Sequence, residues 1–282
     1  GTIQRDRLVL NHLMNILSPN IFIGSIEPSH IEDYKSKRSE SKTRKGNLLT
    51  PAGLSAELRH LRAFFNWLVN QRIIRNSPMV GVKFPKVVTR PIRFLHSEEL
   101  LEIRNCLSKV DKTSRDLFNT YIYTGARKTE ILRANLTWDE VDFSNNIIRL
   151  KTKGQKYREI PMQKELRSIL LSRKKNGEVF PFDLSKDEAY RRIIDIYTLA
   201  KIKDANVHTL RKTTGALLIQ KGVDIFKVSK FLGHSSVVVT EKHYVDLIPK
   251  NYRDMADLLE QGMREIENSD KTVTKKSEKG GK

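Results

Sequence analysis

Apolar positions recur at helical spacing through most of the chain, with one stretch of strand-like alternation near its middle. In "RDRLVLNHLMNIL" (5–17), Leu8, Leu10, Leu13, Met14 and Leu17 lay one apolar stripe along a helix. "EPSHIEDYKSKR" (27–38) predicts a short second helix opened near Pro28, because the first turn has no use for the N–H that proline lacks. A charged, polar connection, "SKRSESKTRKGN" (36–47), follows. "AELRHLRAFFNWLVNQRII" (56–74) then predicts a third helix with Leu58, Leu61, Phe65, Leu68 and Val69 turned inward. Arg59 and Arg62 fall beside that stripe. The segment 76–94, "NSPMVGVKFPKVVTRPIRF", carries three prolines and predicts an extended linker, since proline fixes φ and donates no hydrogen bond.

Beyond the linker, "LHSEELLEI" (95–103) predicts a helix capped by Ser97, with Glu98 and Glu99 in its first turn. Another helix ends at "YIYTG" (121–125), and a further one is expected to open at Arg127. "TWDEVDF" and "NIIRLKTKG" read as strands joined by "SNN", and "KYREIPM" returns as a third, with Gly154 and Gln155 at the hairpin tip. Helical periodicity resumes in "DEAYRRIIDIYTLAKI", "HTLRKTTGALLIQKG" and "DIFKVSKFLGH". "NYRDMADLLEQGMREIE" adds a last amphipathic helix with Met255, Leu258, Leu259, Met263 and Ile266 on one side. The pattern predicts a mainly α fold with a small antiparallel β-sheet: an all-α domain over 1–90 that includes the linker, then an α+β domain over 91–266. Residues 267–282 are basic and of low complexity, and are expected to be disordered.

Charge changes this picture most. The 282 residues carry a formal net charge of +19. Residues 1–90 hold 15 Lys/Arg against 6 Asp/Glu, and residues 91–266 hold 32 against 24. Two separately basic domains point to a polyanion gripped from two sides, and nucleic acid is the usual one. Cys106 is the only cysteine, which excludes an internal disulfide and a cysteine-built zinc site; it is expected in a core. The longest apolar run, "ALLI" (216–219), is far too short to span a bilayer, so no membrane partner is expected. No secretory leader is evident, and a cytoplasmic, nucleoid-associated protein is expected. The chain opens on Gly rather than Met, which leaves room for a further N-terminal domain ahead of it.

Candidate chemistry concentrates in the second domain. "YTGARKTEIL" (123–132) presents Arg127 with Glu130 three places on, read as an anion site at a helix start or as a surface cation with its partner. "HTLR" puts His208 and Arg211 on one helix face, and "LGHSS" offers His234 after a glycine suited to a helix C-cap. Tyr244 follows ten positions beyond His234, and Lys153 stands at the hairpin tip between Lys151 and Lys156. Together these residues suit a phosphodiester. Two guanidiniums neutralise it, two imidazoles donate to its oxygens or move protons, a lysine reaches a leaving oxygen and a phenol can attack phosphorus. No cofactor is called for, and no carboxylate cluster offers itself to a metal. His12, His30, His60 and His96 suggest no chemistry, His243 reads as a plain surface histidine or as one that tunes the neighbouring Tyr244, and Tyr252 is a weak competitor for the nucleophile.

"TGARKTEIL", "KTKGQKYREIPM", "HTLRKTTGALLIQKG" and "FLGHSSVVVTEKHY" occur in the order of the catalytic motifs of the tyrosine recombinase (phage integrase) family, which the chain resembles from about 124 to 244. The resemblance implies that Arg127 is the first catalytic arginine with Glu130 in support. It implies that Lys153, immediately before a glycine, protonates the departing 5′ oxygen. His208 would act as acid and base, Arg211 as the second phosphate clamp, His234 as a phosphate ligand and Tyr244 as the nucleophile. The family commonly places its tyrosine nine residues after the histidine, against ten here, an insertion in the connecting segment. The first domain is similar to the family's SAM-like core-DNA-binding domain, with Lys42, Arg44, Lys45, Arg59 and Arg62 as candidate phosphate contacts. Implied partners are double-stranded recombination sites, three further copies of the chain docked through the 255–266 helix, and accessory DNA-bending proteins. The implied activity is site-specific recombination through a 3′-phosphotyrosyl link and a Holliday junction, serving integration or excision of a mobile element. Dimer resolution, a type IB topoisomerase, a catalytically dead DNA-binding protein and a metal-dependent nuclease are the rivals.

Overall fold

The computed structural model of the chain describes residues 2–18, 20–43, 46–88, 91–152, 156–244, 247, 259–261 and 263–264. The chain divides into two compact units, Gly1–Arg90 and Pro91–Lys282.

The first unit is built from α1 (Thr2–Leu17), α2 (Pro28–Ser39) and α3 (Pro51–Asn70). Pro28 and Pro51 each sit in the first turn of their helix, and the Thr50 hydroxyl caps α3 by accepting from the Gly53 N–H at 3.1 Å. The inward face of α3 carries Leu54, Leu58, Leu61, Phe65 and Leu68, while Val69 is only partly buried. On α1 the buried pair is Val9 and Leu13, four apart. Leu8 and Met14 are 53% and 47% exposed, so the true stripe is turned from the one the sequence suggests. Each residue step turns a helix face by about 100°, so a one-residue shift in the stripe moves Leu8 outward. Glu57 of α3 ties the three helices together. It accepts from Tyr34 Oη at 2.7 Å and from Arg38 Nε and Nη2 at 2.9 and 2.6 Å, with His12 Nδ1 3.5 Å away. The 76–94 segment is not wholly a linker: its turn at 77–81 seats Met79 and, just beyond, Val82 in this core, while Phe94 and Leu95 belong to cores of the second unit.

The second unit contains α4 (Ser97–Cys106), α5 (Lys112–Thr124), β1 (Val141–Asp142), β2 (Ile147–Lys151) and β3 (Tyr157–Pro161). These are followed by α6 (Lys164–Lys175), α7 (Lys186–Leu199), α8 (Val207–Gln220), α9 (Ile225–Leu232) and α10 (Val237–Tyr244). The strands form one antiparallel sheet in the order β1-β2-β3, with Ile148 opposite Ile160 and Lys151 opposite Tyr157. The architecture is therefore mainly α with a small antiparallel sheet, as the sequence pattern predicts. Ile148, Leu150 and Ile160 face the main core with Leu117, Tyr121, Ile193 and Ile196, and Cys106 is buried at its edge.

Several local expectations are corrected. His96, not Ser97, stands at the N-cap of α4, and its N–H donates to Glu99 at 3.0 Å. "TWDE" is not strand: Thr137 caps a single tight turn over 138–140 and the strand shrinks to two residues. Helix α6 has no counterpart in the sequence reading, although Leu166, Ile169, Leu170 and Arg173 line its buried face. Among the described residues no helix is long and apolar enough to cross a membrane. The expected helix over 255–266 lies outside the described residues except at 259–261 and 263–264, where Leu259 and Met263 are exposed, and the tail 267–282 lies wholly outside them.

Candidate active site

The site is assembled on two helix ends. Helix α5 stops at Gly125 and α9 at Gly233, with φ of 56° and 67°, the left-handed conformation that glycine adopts without steric cost. Both positions are also crowded: a Cβ on Gly125 would lie 2.7 Å from Leu232 Cδ2, and one on Gly233 2.7 Å from Arg158 Cδ. A helix C-terminus leaves carbonyls without intrahelical partners and carries partial negative charge. Three guanidiniums occupy this negative ground. Arg211 donates from Nη1 to Gly125 O at 2.8 Å and from Nη2 to Leu232 O. Arg127 donates from Nη2 to Gly233 O at 2.7 Å. Arg158 donates to Thr124 O at 3.2 Å, to Gly125 O at 3.5 Å and to Phe231 O.

Arg127 does not open a helix. It lies two residues past the α5 C-cap and enters a run of turns, with the Glu130 N–H donating to Arg127 O at 3.0 Å. The anion-binding dipole expected there is absent, and Glu130 does the orienting instead. Its carboxylate accepts from the Arg127 N–H at 2.9 Å and from Arg127 Nη1 at 2.5 Å, and its second ion pair is with Arg158 Nη2 at 3.1 Å. Burial pushes the Glu130 carboxyl up, but the charge of Arg158 and the hydrogen bonds from Arg127 outweigh it, leaving its pKa below the ordinary value.

Helix α8 is capped by Asn206, whose side chain accepts from the His208 N–H at 2.8 Å. His208, Arg211, Lys212 and Gly215 then follow at i, i+3, i+4 and i+7 and share a face. Arg211 is 2% exposed; burial and the charges of Arg127 and Arg158 pull its pKa down to about 9, which keeps it a cation at neutral pH. His234 directly follows Gly233, its N–H donates to Ser229 O at 3.0 Å, and its Nδ1 lies 2.7 Å from Oγ1 of the buried Thr240 on α10. Tyr244 ends α10, so the connection to the tyrosine is helical. Its ring rests on Gly215, where a Cβ would come within 2.6 Å of both Cζ and Oη, and Oη donates to Lys212 O at 3.3 Å. Burial pushes the phenol up to about 12, with Arg211 pulling the other way.

A cavity of about 240 Å³ has Arg127, His208, Arg211, His234 and Tyr244 in its wall, with Lys212, Val239 and Ile92. Larger hollows, of about 540 Å³ along α6 and about 620 Å³ in the first unit, gather no such set. Lys153, Gly154 and Gln155 lie outside the described residues; the strands closing on them are joined by the Thr152 N–H donating to Lys156 O at 2.6 Å. In the first unit Lys42 and Arg59 are exposed, and Arg44 and Lys45 lie outside the described residues. Arg62 holds its guanidinium 4.1 Å over the Phe84 ring, so it pins the following segment as well as facing solvent. Sequence reasoning missed Arg158, Lys212, Gly215 and Thr240. Only Arg158 left a signal: a charged residue at an inward position of an alternating strand. Among the described residues no three His, Cys, Asp or Glu side chains group as a metal site.

Residues 93–250, more than half of the chain, match the model of the phage integrase family. The chain belongs to the phage integrase family. It is a tyrosine recombinase, an enzyme of site-specific DNA cleavage and rejoining. Its relatives include a tyrosine recombinase of Pseudothermotoga lettingae, 28% identical over 266 residues and 90% of both chains. The XerD recombinase of Pseudomonas putida is 26% identical over 210 residues, 68% of this chain and 70% of that protein. In fold the recombinase is similar to XerH bound to a palindromic difH substrate, at a TM-score of 0.69 and 20% identity, over 92% of this chain and 80% of that one. A lambda integrase dimer bound to a COC' core site gives 0.69 at 15% identity, over 86% and 87% of the two chains.

Proposed function

We propose that this recombinase cuts one DNA strand by attack of the Tyr244 phenol oxygen on a backbone phosphorus. The new bond is a 3′-phosphotyrosyl ester and the bond that breaks releases a 5′-hydroxyl. The phenolic proton passes to His208, and Lys153 supplies the proton taken up by the leaving 5′ oxygen. Arg127 and Arg211 clamp the non-bridging oxygens, His234 donates to one of them, and Glu130 holds Arg127 in place. Rejoining reverses the chemistry with a partner strand's 5′-hydroxyl, so the ester bond energy is conserved and no cofactor is consumed. The observation that carries this is the shared cavity: two guanidiniums, two imidazoles and a phenol from segments far apart in sequence line one small space.

The first unit grips duplex DNA, with Lys42, Arg44, Lys45, Arg59 and Arg62 as phosphate contacts. Four copies exchange strands in pairs through a Holliday junction, linked by the helix over 255–266, with DNA-bending proteins as accessories. Deleting 255–266 should leave single-site binding intact and abolish cooperative assembly on sedimentation. The element-mobilising role is supported by the family match and by the fold shared with a Tn1549 transposon integrase bound to circular intermediate DNA. A second reading, dimer resolution, is favoured by the XerC and XerD relatives. Recombination between two unlike sites supports the first and confinement to identical sites the second.

The decisive experiment uses duplexes nicked beside the cleaved bond, so that a short fragment is lost after cutting. Wild type should form an SDS-resistant, protease-sensitive adduct, undiminished by EDTA, and Tyr244→Phe none. An adduct that persists in Tyr244→Phe removes the assignment. Relaxation of supercoiled DNA without paired sites points instead to topoisomerase action.

A further inference from the structure

We infer that Arg158 is a positioning residue of the strand-cutting reaction: by sharing the charge of Glu130 it leaves the Arg127 guanidinium available to the scissile phosphate. The inference rests on Arg127 being a phosphate clamp, as proposed above.

Arg158 occupies an inward position of β3 and is 7% exposed. A buried guanidinium costs more than an apolar residue of the same volume, so stability alone does not explain it. Its partners do. Nη2 meets Glu130 Oε2 at 3.1 Å, while Arg127 Nη1 meets Oε1 at 2.5 Å, so one carboxylate sits between two guanidiniums. The remaining N–H groups of its fork reach the carbonyl ends of α5 and α9, the same two helix ends that orient Arg127 and Arg211. Its Nε has no partner, and Gly233 gives up a side chain to make room for its stem. Arg158 is thus held rigidly against Glu130 and, unlike Arg127 and Arg211, is not among the residues lining the cavity.

The electrostatic consequence is specific. With Arg127 as its only partner, Glu130 would close a one-to-one ion pair and cancel the charge meant for the phosphate. With Arg158 present, two guanidiniums share the one carboxylate, and the excess positive charge lies towards the cavity that Arg127 lines. Arg158 also holds the Glu130 carboxyl below its ordinary pKa. Removing it should raise that pKa, so that as pH falls protonation of Glu130 frees Arg127 and the loss of rate relative to wild type shrinks.

The test uses the 282-residue chain and duplexes selected from a random-sequence pool on the wild type, rebuilt with a nick beside the cleaved bond. Arg158→Gln should lower the rate of adduct formation at saturating DNA by about tenfold to a hundredfold while changing DNA affinity by less than about threefold. That loss relative to wild type should shrink towards acid pH. The double variant Arg158→Gln/Glu130→Gln removes both charges, and should recover at least about a third of a log unit or more over Arg158→Gln alone, because the carboxylate no longer competes for Arg127. Equal or further loss in the double variant, or a loss in Arg158→Gln that does not shrink towards acid pH, overturns the inference. If thermal unfolding shows that Arg158→Gln does not fold, Arg158→Lys carries the test. It keeps the cation, so the ratio of its rate to wild type should not change with pH, and a ratio that rises towards acid pH overturns the inference. A wild type that forms no Tyr244 adduct on these duplexes removes the strand-cutting mechanism itself; a normal wild-type adduct without recovery in the double variant removes only the role of Arg158.

Discussion

At the scale of single residues, the place of the nucleophile is decided by an absent side chain. A Cβ at Gly215 would lie 2.6 Å from the Tyr244 hydroxyl, at the far end of a side chain that can give way. Gly215→Ala should therefore cost little stability yet displace the attacking oxygen. Adduct formation should fall by about tenfold to a hundredfold, with DNA affinity retained in a binding titration. The same tyrosine carries a protonation requirement. Its pKa, pushed up to about 12 by burial, makes it a phenol rather than a phenolate at neutral pH, so attack needs a base. In a His208→Gln variant the adduct rate should keep climbing with pH towards that value, about tenfold per pH unit, whereas the wild-type rate, with a base in place to take the proton, should climb less steeply. Parallel slopes in the two proteins would remove His208 as the base.

Elements act here mainly through their ends. The left-handed caps at Gly125 and Gly233 turn two helix C-termini into carbonyl platforms for three guanidiniums. Gly233→Ala combines a disfavoured φ with a 2.7 Å approach to Arg158 Cδ, and should lower stability by about 1–3 kcal/mol in denaturant titration. In the first unit, Arg38→Met leaves Glu57 short of its main cation, and should destabilise that unit by about 2–4 kcal/mol. Both Glu57 and Glu130 have pKa values depressed in the folded chain. The stability they contribute is present above the ordinary carboxylate pKa and is lost as pH falls through their folded values, because the unfolded chain binds those protons first. Acid titration followed by circular dichroism should show stability declining below the ordinary carboxylate range, and less steeply in Glu57→Gln.

For the whole molecule, the charge of +19 sets how binding responds to salt. Counterion release predicts a linear fall of log affinity with log salt, and six or more phosphate contacts imply a loss of about a thousandfold or more between 50 and 200 mM. Fluorescence anisotropy across that range measures the slope; a shallow one would mean that few of these cations meet phosphate. Because the excess is divided between the two units, neutralising Lys42 and Arg59 together should reduce the slope by about two without touching cleavage of bound DNA.

How much of this was legible from sequence varies with the kind of feature. The order Arg127, His208, Arg211, His234, Tyr244 could be read directly, as could helices with strong periodicity such as α3 and α8, because both are local in the chain. Arg127 was misplaced at a helix start, since a Gly-Ala-Arg turn carries the same letters whether a helix ends or begins beside it. Helix α6 escaped notice because a basic surface dilutes its apolar stripe, and the exposed Leu8 shows that a stripe alone does not say which of its edges is buried. The sequence by itself determined which chemical groups are available, the mainly helical class and the positive charge. Tertiary structure alone decided that a cavity gathers five of those groups, that Gly215 seats the phenol, and that Arg158 stands behind Glu130. The reason is physical: these relations join residues well beyond one element, from 28 positions apart for Arg158 and Glu130 to 106 for Arg127 and Gly233 O, which meet at 2.7 Å, and no local periodicity records a contact made only when separate elements come together.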